Sequence, residues 1–207
     1  MKKFILFILT IVFFQMNAQT CDSLENEGVT YGVPLNTLKK LIEANCDKAK
    51  LSFAHELITG YRISKDSIRA IELLSDCKDR NVDCKYELFK VYYENEPERA
   101  YKLISEIALL VPIKNYWDSS MVVNARLIAA DMVERHLGNN EDLSKSATWY
   151  LLFYEIEYAW CESPTKGMID EMNRILKMLT EKQLDNAYKE AEELLGHKPI
   201  FLRKMKK

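Results

Sequence analysis

The side chains that could do chemistry in this chain are few, and most stand at the wrong spacing. Three histidines occur: His55, His136 and His197. His55-Glu56-Leu57-Ile58-Thr59 opens like a zinc-protease helix, but threonine stands where a second histidine must sit one turn on. Two imidazoles therefore cannot share one helix face around a metal. His136 falls at a loop entrance and His197 just past a helix end, where an imidazole can meet terminal carbonyls. No Gly-x-Ser-x-Gly segment offers a serine nucleophile. Glu155/Glu157 and Glu192/Glu193 are placed on charged helix faces, where solvation accounts for them. An envelope enzyme acting on peptidoglycan or an antibiotic would need two carboxylates, or a histidine with Cys161, in one cleft. The expectation is a chain with no catalytic residue, no metal and no cofactor.

The cysteines carry the other chemistry, and their reading depends on compartment. Lys2 and Lys3 form a basic start, Phe4 to Phe14 is an apolar run interrupted only by Thr10, and Met16-Asn17-Ala18 places a small residue before a cleavage point. That run is too short to span a bilayer, which takes about 20 residues, and fits the core of a secretory signal. Cleavage before Gln19 or Thr20 removes two lysines and takes the formal charge from −2 to −4. Gln19-Thr20 before Cys21 lacks the leucine and small residue of a lipobox. An exported chain, periplasmic or secreted, is expected, with no transmembrane segment after cleavage. Cys21, Cys46, Cys77, Cys84 and Cys161 then meet an oxidising compartment. No Cys-x-x-Cys suggests a zinc ribbon or a redox pair. Two bridges among five cysteines allow fifteen arrangements, five choices of the unpaired residue times three pairings of the rest. Cys77–Cys84, across a polar turn between consecutive helices, is the favoured pair. Cys21–Cys46 is the second, leaving Cys161 free.

The elements that must hold these residues are helical. With 48% hydrophobic, 11% aromatic and 29% charged residues, the chain has the apolar surface a disordered one lacks. Only 6 glycines and 5 prolines disfavour turn-dense β folds and glycine-rich phosphate loops. A net charge of −2 supplies no basic footprint for nucleic acid. From Pro34 onward apolar residues recur at helical spacing. Leu35, Leu38, Leu41 and Ile42 mark one helix, Ala49, Phe53 and Leu57 the next, and Ile68, Ile71 and Leu74 a third. Helices follow over Asp83 to Glu94, Pro97 to Leu110, Ser119 to Leu137 and Asp142 to Ala159. Ser163-Pro164 restarts the chain as N-cap and first helical residue. Thr180 to Gln183 is a capping box, and Gly196 ends the last helix.

The helices repeat. A shift of 76 residues aligns Ala49 with Ala125, Leu51 with Leu127, Ala54 with Ala130 and Asp66 with Asp142, and sets Ala70 on Ser146 and Leu73 on Trp149. At half that shift, Cys84, Leu88 and Tyr92 repeat the spacing of Ala49, Phe53 and Leu57, and Ala100 to Leu103 repeats Ala70 to Leu73. Small residues recur because two helices of a hairpin approach closely only where one side chain is near methyl size.

Gly60-Tyr61-Arg62-Ile63-Ser64-Lys65-Asp66-Ser67-Ile68-Arg69-Ala70 resembles the loop-and-second-helix signature of the Sel-like repeat (SLR) family, relatives of tetratricopeptide repeats. His136-Leu137-Gly138, Asp142 and Trp149-Tyr150 look like a second copy, and Cys77-x6-Cys84 resembles the inter-repeat cysteine pair of exported members. Arg62 and His136 stand where the signature has its second and first loop glycines. The resemblance implies an all-α fold: an α/α solenoid of about three helix-hairpin repeats with an N-terminal helix and C-terminal capping helices. It divides the chain into a signal (1–18), an N-terminal extension and helix (19–48), repeats (49–160) and a helical cap with a basic tail (161–207). Members mostly bind proteins.

In such a solenoid the first helices of successive hairpins line a concave face. If Ala54, Phe89 and Ala130 form the small column, the groove positions are Leu51, His55 and Ile58; Tyr86, Lys90 and Tyr93; Leu127, Asp131 and Glu134. Trp149, Phe153, Ile156 and Trp160 are expected to face the core, and the stripe Tyr150, Tyr154, Tyr158 to pack on the C-terminal helices. The link from Leu109 to Ser119 could cover the groove or fill a gap, and the tail from His197 to Lys207 is read as a frayed end. The function expected is non-catalytic protein or peptide binding by a monomer in the cell envelope, without nucleic acid. The alternative is an immunity or inhibitor protein that neutralises a cell-wall-targeting toxin or hydrolase.

Overall fold

Pro34, whose ring pre-sets a helical φ, leads into α1 (Leu35–Glu43), and Leu38 and Leu41 put one apolar stripe inward. These two pack with Cys46 and Ala49, flanked by Cys21, Val33, Leu35, Ile42 and Phe53. In this computed structural model the described residues are Cys21, 32–110, 116–138, 141–161 and 166–199, with the backbone alone at 116–119, 156–161 and 168. The signal residues, the Ser163-Pro164 cap, the side chains of Tyr158, Trp160, Ile156 and Cys161, and the tail beyond 199 lie outside that set. All the described elements are helices: α2 (Asp47–Thr59), α3 (Ser67–Cys77), α4 (Val82–Tyr92), α5 (Pro97–Ala108), α6 (Tyr116–Glu134), α7 (Leu143–Cys161), α8 (Lys166–Met178) and α9 (Glu181–Leu195) follow α1. None is long and apolar enough to cross a membrane.

The described chain is thus all-α, and it divides into two compact units between Leu88 and Phe89. In the first unit α2 packs on α1 and α3. Ala49 and Ala54 of α2 and Ala70 of α3 are fully buried, so the hairpin closes on methyl-sized contacts. Asp66 caps α3 by accepting from the Arg69 amide at 3.0 Å. Lys50 is 3% exposed and meets Asn45, Asp47 and Asp76, while Arg80 grips Asp47 with two bonds of 2.8 and 2.9 Å. Arg62 holds the α2–α3 loop: it pairs with Glu56 at 2.8 Å and donates to the Val33 carbonyl at 2.7 Å.

In the second unit α6 packs on α5 and α7, and α7 carries α8 and α9. The 76-residue shift holds in burial at its small residues: Ala125 and Ala130 are as buried as Ala49 and Ala54, and Ser146 as buried as Ala70. Between Ser146 and Glu155 α7 is buried nearly all round, which corrects two expectations. Tyr150 and Tyr154 are more enclosed than Phe153, and Glu155, expected on a solvated face, is 9% exposed with its carboxylate 4.0 Å from His197. Arg126 is 5% exposed and gives hydrogen bonds to the carbonyls of Ala108 (3.0 Å) and Leu152 (2.7 Å), tying α5 and α7 to α6; burial lowers its pKa to about 10, so it stays charged at neutral pH. α6 begins at Tyr116, so Tyr116-Trp117 belongs to a helix and not to the expected link.

The same shift sets Gly60 on His136, and both are left-handed, at φ 70° and 53°. His136 is the first residue past the α6 C-cap in a Schellman closure, its amide bonding to Val133 and that of Leu137 to Met132. An exposed imidazole gains nothing there to offset the left-handed backbone, so His136→Gly is expected to stabilise by about 1 kcal/mol. Urea unfolding checks this; an unchanged or lowered midpoint refutes it.

Candidate functional site

Two cysteine pairs stand at disulfide distance. Cys21 and Cys46 are bridged with Cα atoms 5.8 Å apart, and Cys77 and Cys84 with Cα atoms 5.9 Å apart. The second bridge joins the last residue of α3 to the first turn of α4, and both its cysteines are fully buried. By loop-closure entropy the short loop contributes about 2.5 kcal/mol and the longer one about 3.5 kcal/mol. Alkylation under denaturing conditions without reductant should modify one cysteine per chain, Cys161. Denaturation is needed because a buried free thiol would escape labelling in the native protein. Recovery of alkylated Cys77 and Cys84 would refute the pairing.

Thr59, in the place of a second zinc histidine, donates its hydroxyl to the His55 carbonyl at 2.9 Å, and Glu56 is paired with Arg62. That Arg62 pair holds the Glu56 carboxyl below its usual range. Among the described residues no group of histidine, cysteine and carboxylate side chains could hold a metal.

A cleft of about 570 Å³ opens in the second unit between the end of α4 and the middle of α6. Phe89, Val91, Leu127 and Ile128 form apolar wall, and Lys90, Tyr93, Glu94, Asn95 and Asp131 supply polar groups. Phe89 lies in the last turn of α4 and Tyr93 just past its end, four residues on, where their rings meet edge-on at 5.5 Å. Leu127 and Asp131 stand one turn apart on α6. Just past α6, Arg135 reaches back to Asp131 at 3.2 Å and touches the Tyr93 hydroxyl at 3.5 Å. Two carboxylates share the cleft, but Asp131 is ion-paired and Glu94 is exposed.

Four of the nine expected groove positions line this cleft: Lys90, Tyr93, Leu127 and Asp131. Leu51, His55, Ile58 and Tyr86 belong to the first unit, each half-buried. Glu134 is drawn elsewhere. It accepts from Ser146 at 3.1 Å and pairs with Arg174 of α8 at 2.9 Å, and Arg174 also holds Glu171 at 2.8 Å. These acids raise the Arg174 pKa, Glu171 first, and Arg174 lowers that of Glu171. Beneath them burial, then Glu134, pushes the Tyr150 phenol well up, and burial takes Tyr154 to about 12. Tyr150 and Tyr154 stack at 6.2 Å beside these α8 charges, so in this pair the stripe serves packing.

Comparison with known proteins adds a fold-level likeness. The chain matches no protein-family profile, and no curated protein matches it. Among solved structures it is similar to a protective antigen present in uropathogenic Escherichia coli strains and displaying an SLR fold. The identity is 16%, the match covers 95% of this chain and 48% of that one, and the TM-score is 0.35. The chain therefore spans about half the antigen's length. A superposition that loose leaves the reading of the cleft to the chain's own geometry.

Proposed function

We propose that this is an exported, non-catalytic SLR-type binding module that takes a protein or peptide segment in the α4/α6 cleft. The observation that carries the reading is the cleft itself: an apolar wall of Phe89, Val91, Leu127 and Ile128 rimmed by side chains of both charge signs. Its volume lies within the roughly 300–1,000 Å³ range of clefts that enclose a ligand. A half-buried tyrosine at the rim supplies the kind of anchor that dominates interface energies. Export is supported by the signal-like start and by the two disulfide-distance pairs, which persist in oxidising compartments.

The test places a photo-crosslinking residue at position 127 and asks what it captures in envelope extract, alongside Tyr93→Ala in the unmodified protein. Tyr93 is half-exposed in the free protein, so its loss should weaken the captured partner's binding by about 1–2 kcal/mol, roughly 5–30-fold, at an unchanged thermal midpoint. Binding indifferent to Tyr93→Ala, or no crosslink from position 127, would overturn the reading.

A further inference from the structure

The two bridges of the first unit differ in access. Cys77 and Cys84 are both 0% exposed, at the end of α3 and in the first turn of α4. Cys46 is 2% exposed, but its partner Cys21 is only half-buried against the cluster of Leu38, Leu41 and Ala49. A thiolate must reach a disulfide sulfur to exchange with it, so access decides which bridge reacts in the folded protein. Of the four bridged cysteines, Cys21 alone offers that access. The element behind it is lightly built. α1 has nine residues, a length that is marginal for an isolated helix. It buries two side chains, Leu38 and Leu41, and no side chain caps its N-terminus. It packs on α2, and the chain just before it is tied by the Arg62 donation to the Val33 carbonyl. α3, by contrast, is capped by Asp66 and buries Ala70, Leu73, Leu74 and Cys77.

We propose that Cys21–Cys46 is a redox-sensitive latch on α1, opened by a dithiol reductant in the folded protein while Cys77–Cys84 stays closed. The reductant's first thiolate attacks the Cys21 sulfur, forming a mixed disulfide and expelling the Cys46 thiolate. Its second thiolate then attacks its own bound sulfur and releases Cys21. The dithiol ends as a disulfide, and its two protons end on Cys21 and Cys46. Opening frees Cys21 from the cluster and leaves α1 held by Leu38, Leu41 and the Arg62 contact. α1 then loosens without the rest of the unit unfolding. The latch lies wholly within the first unit.

The test incubates the native oxidised protein with dithiothreitol, quenches samples in acid at intervals, removes the reductant and alkylates in denaturant before peptide mapping. Cys21 and Cys46 should be labelled together, about tenfold or more faster than Cys77 and Cys84, and urea should close that gap. In the half-reduced protein, hydrogen exchange should run about tenfold faster in α1 than in the oxidised protein and stay unchanged in α3. Oxidised glutathione should restore both the bridge and the slow exchange. The double variant Cys21→Ser/Cys46→Ala holds the latch open without reductant and should show the same fast exchange in α1 alone. Should that variant fail to fold, the order of reduction in the native protein still decides. A common reduction rate, earlier opening of Cys77–Cys84, or α1 exchange indifferent to the bridge overturns the latch. So does a bridge that does not re-form. Loss of α3 protection in the half-reduced protein overturns it too, because the bridge would then hold the whole unit and not α1.

Discussion

Gly138→Ala should unfold the second unit more readily than any exposed substitution in it, at a cost of about 3 kcal/mol or more. Gly138 has a left-handed backbone, φ 69°, which alone disfavours a side chain by about 1 kcal/mol. The larger part is contact. A Cβ built there would lie 2.0 Å from the carbonyl carbon and oxygen of Pro97 and 2.2 Å from the Glu98 nitrogen. Those are backbone atoms at the start of α5, so no rotamer change can make room, and overpacking against a fixed neighbour costs about 1–3 kcal/mol and sometimes more. Gly196 is the matched control: its φ is 72°, but a Cβ there meets nothing within 4 Å. Gly196→Ala should therefore cost only the backbone share. Urea unfolding of the two variants isolates the contact, and equal losses would show that the α6–α5 approach does not constrain position 138.

Much of this was legible in the sequence. The 76-residue shift aligned Ala49 with Ala125 and Ala54 with Ala130, and all four are buried, because helix-hairpin contacts demand small residues at fixed spacing. Asp66 and Asp142, aligned by the same shift, each accept from a backbone amide at a helix start, Arg69 at 3.0 Å and Ser144 at 2.7 Å. The capping box at Thr180 and Gln183 closed as written. The cleft was legible only in part. A rule that counts fixed offsets from a small-residue column assumes an unbroken helix, yet the cleft opens where α4 ends, so Glu94 and Asn95 line it from beyond the last helical residue. Phe89, assigned to the column, lines the cleft as well as packing inward at 5% exposure. Glu134 was lost to Arg174, 40 residues away in sequence, and no local pattern signals which of several acids a distant arginine will take. Glu155 was misplaced because α7 is covered on several sides, so its polar residues do not mark an outer face.

Trp149→Ala should cost the most of any side-chain truncation in the second unit, about 3–5 kcal/mol, since a buried tryptophan leaves a cavity that helices cannot collapse to fill. Trp149 is 1% exposed in the middle of α7, and Lys145 lies over its ring at 5.1 Å. Lys145 in turn pairs with Glu190, which also accepts from Thr148 at 3.0 Å, so the indole sits beneath the ion pair that fastens α9 to α7. One feature of the site works in the opposite direction. The indole Nε1 is buried without a hydrogen-bond partner among the described residues, and a buried orphan donor costs about 1–3 kcal/mol. Trp149→Phe separates the two effects, because it keeps most of the apolar volume and deletes the orphan donor. It should fall within about 1.5 kcal/mol of the parent. The alanine variant should lower the thermal midpoint by on the order of 10 °C. Tyr93→Ala, on the cleft wall, should leave that midpoint in place. A tyrosine variant as damaged as the tryptophan one would make the α4/α6 cleft interior packing, and Tyr93, Leu127 and Asp131 would then have no claim to a partner. A phenylalanine variant as damaged as the alanine one would mean that the Nε1 proton finds an acceptor after all, and that the site depends on that bond more than on volume.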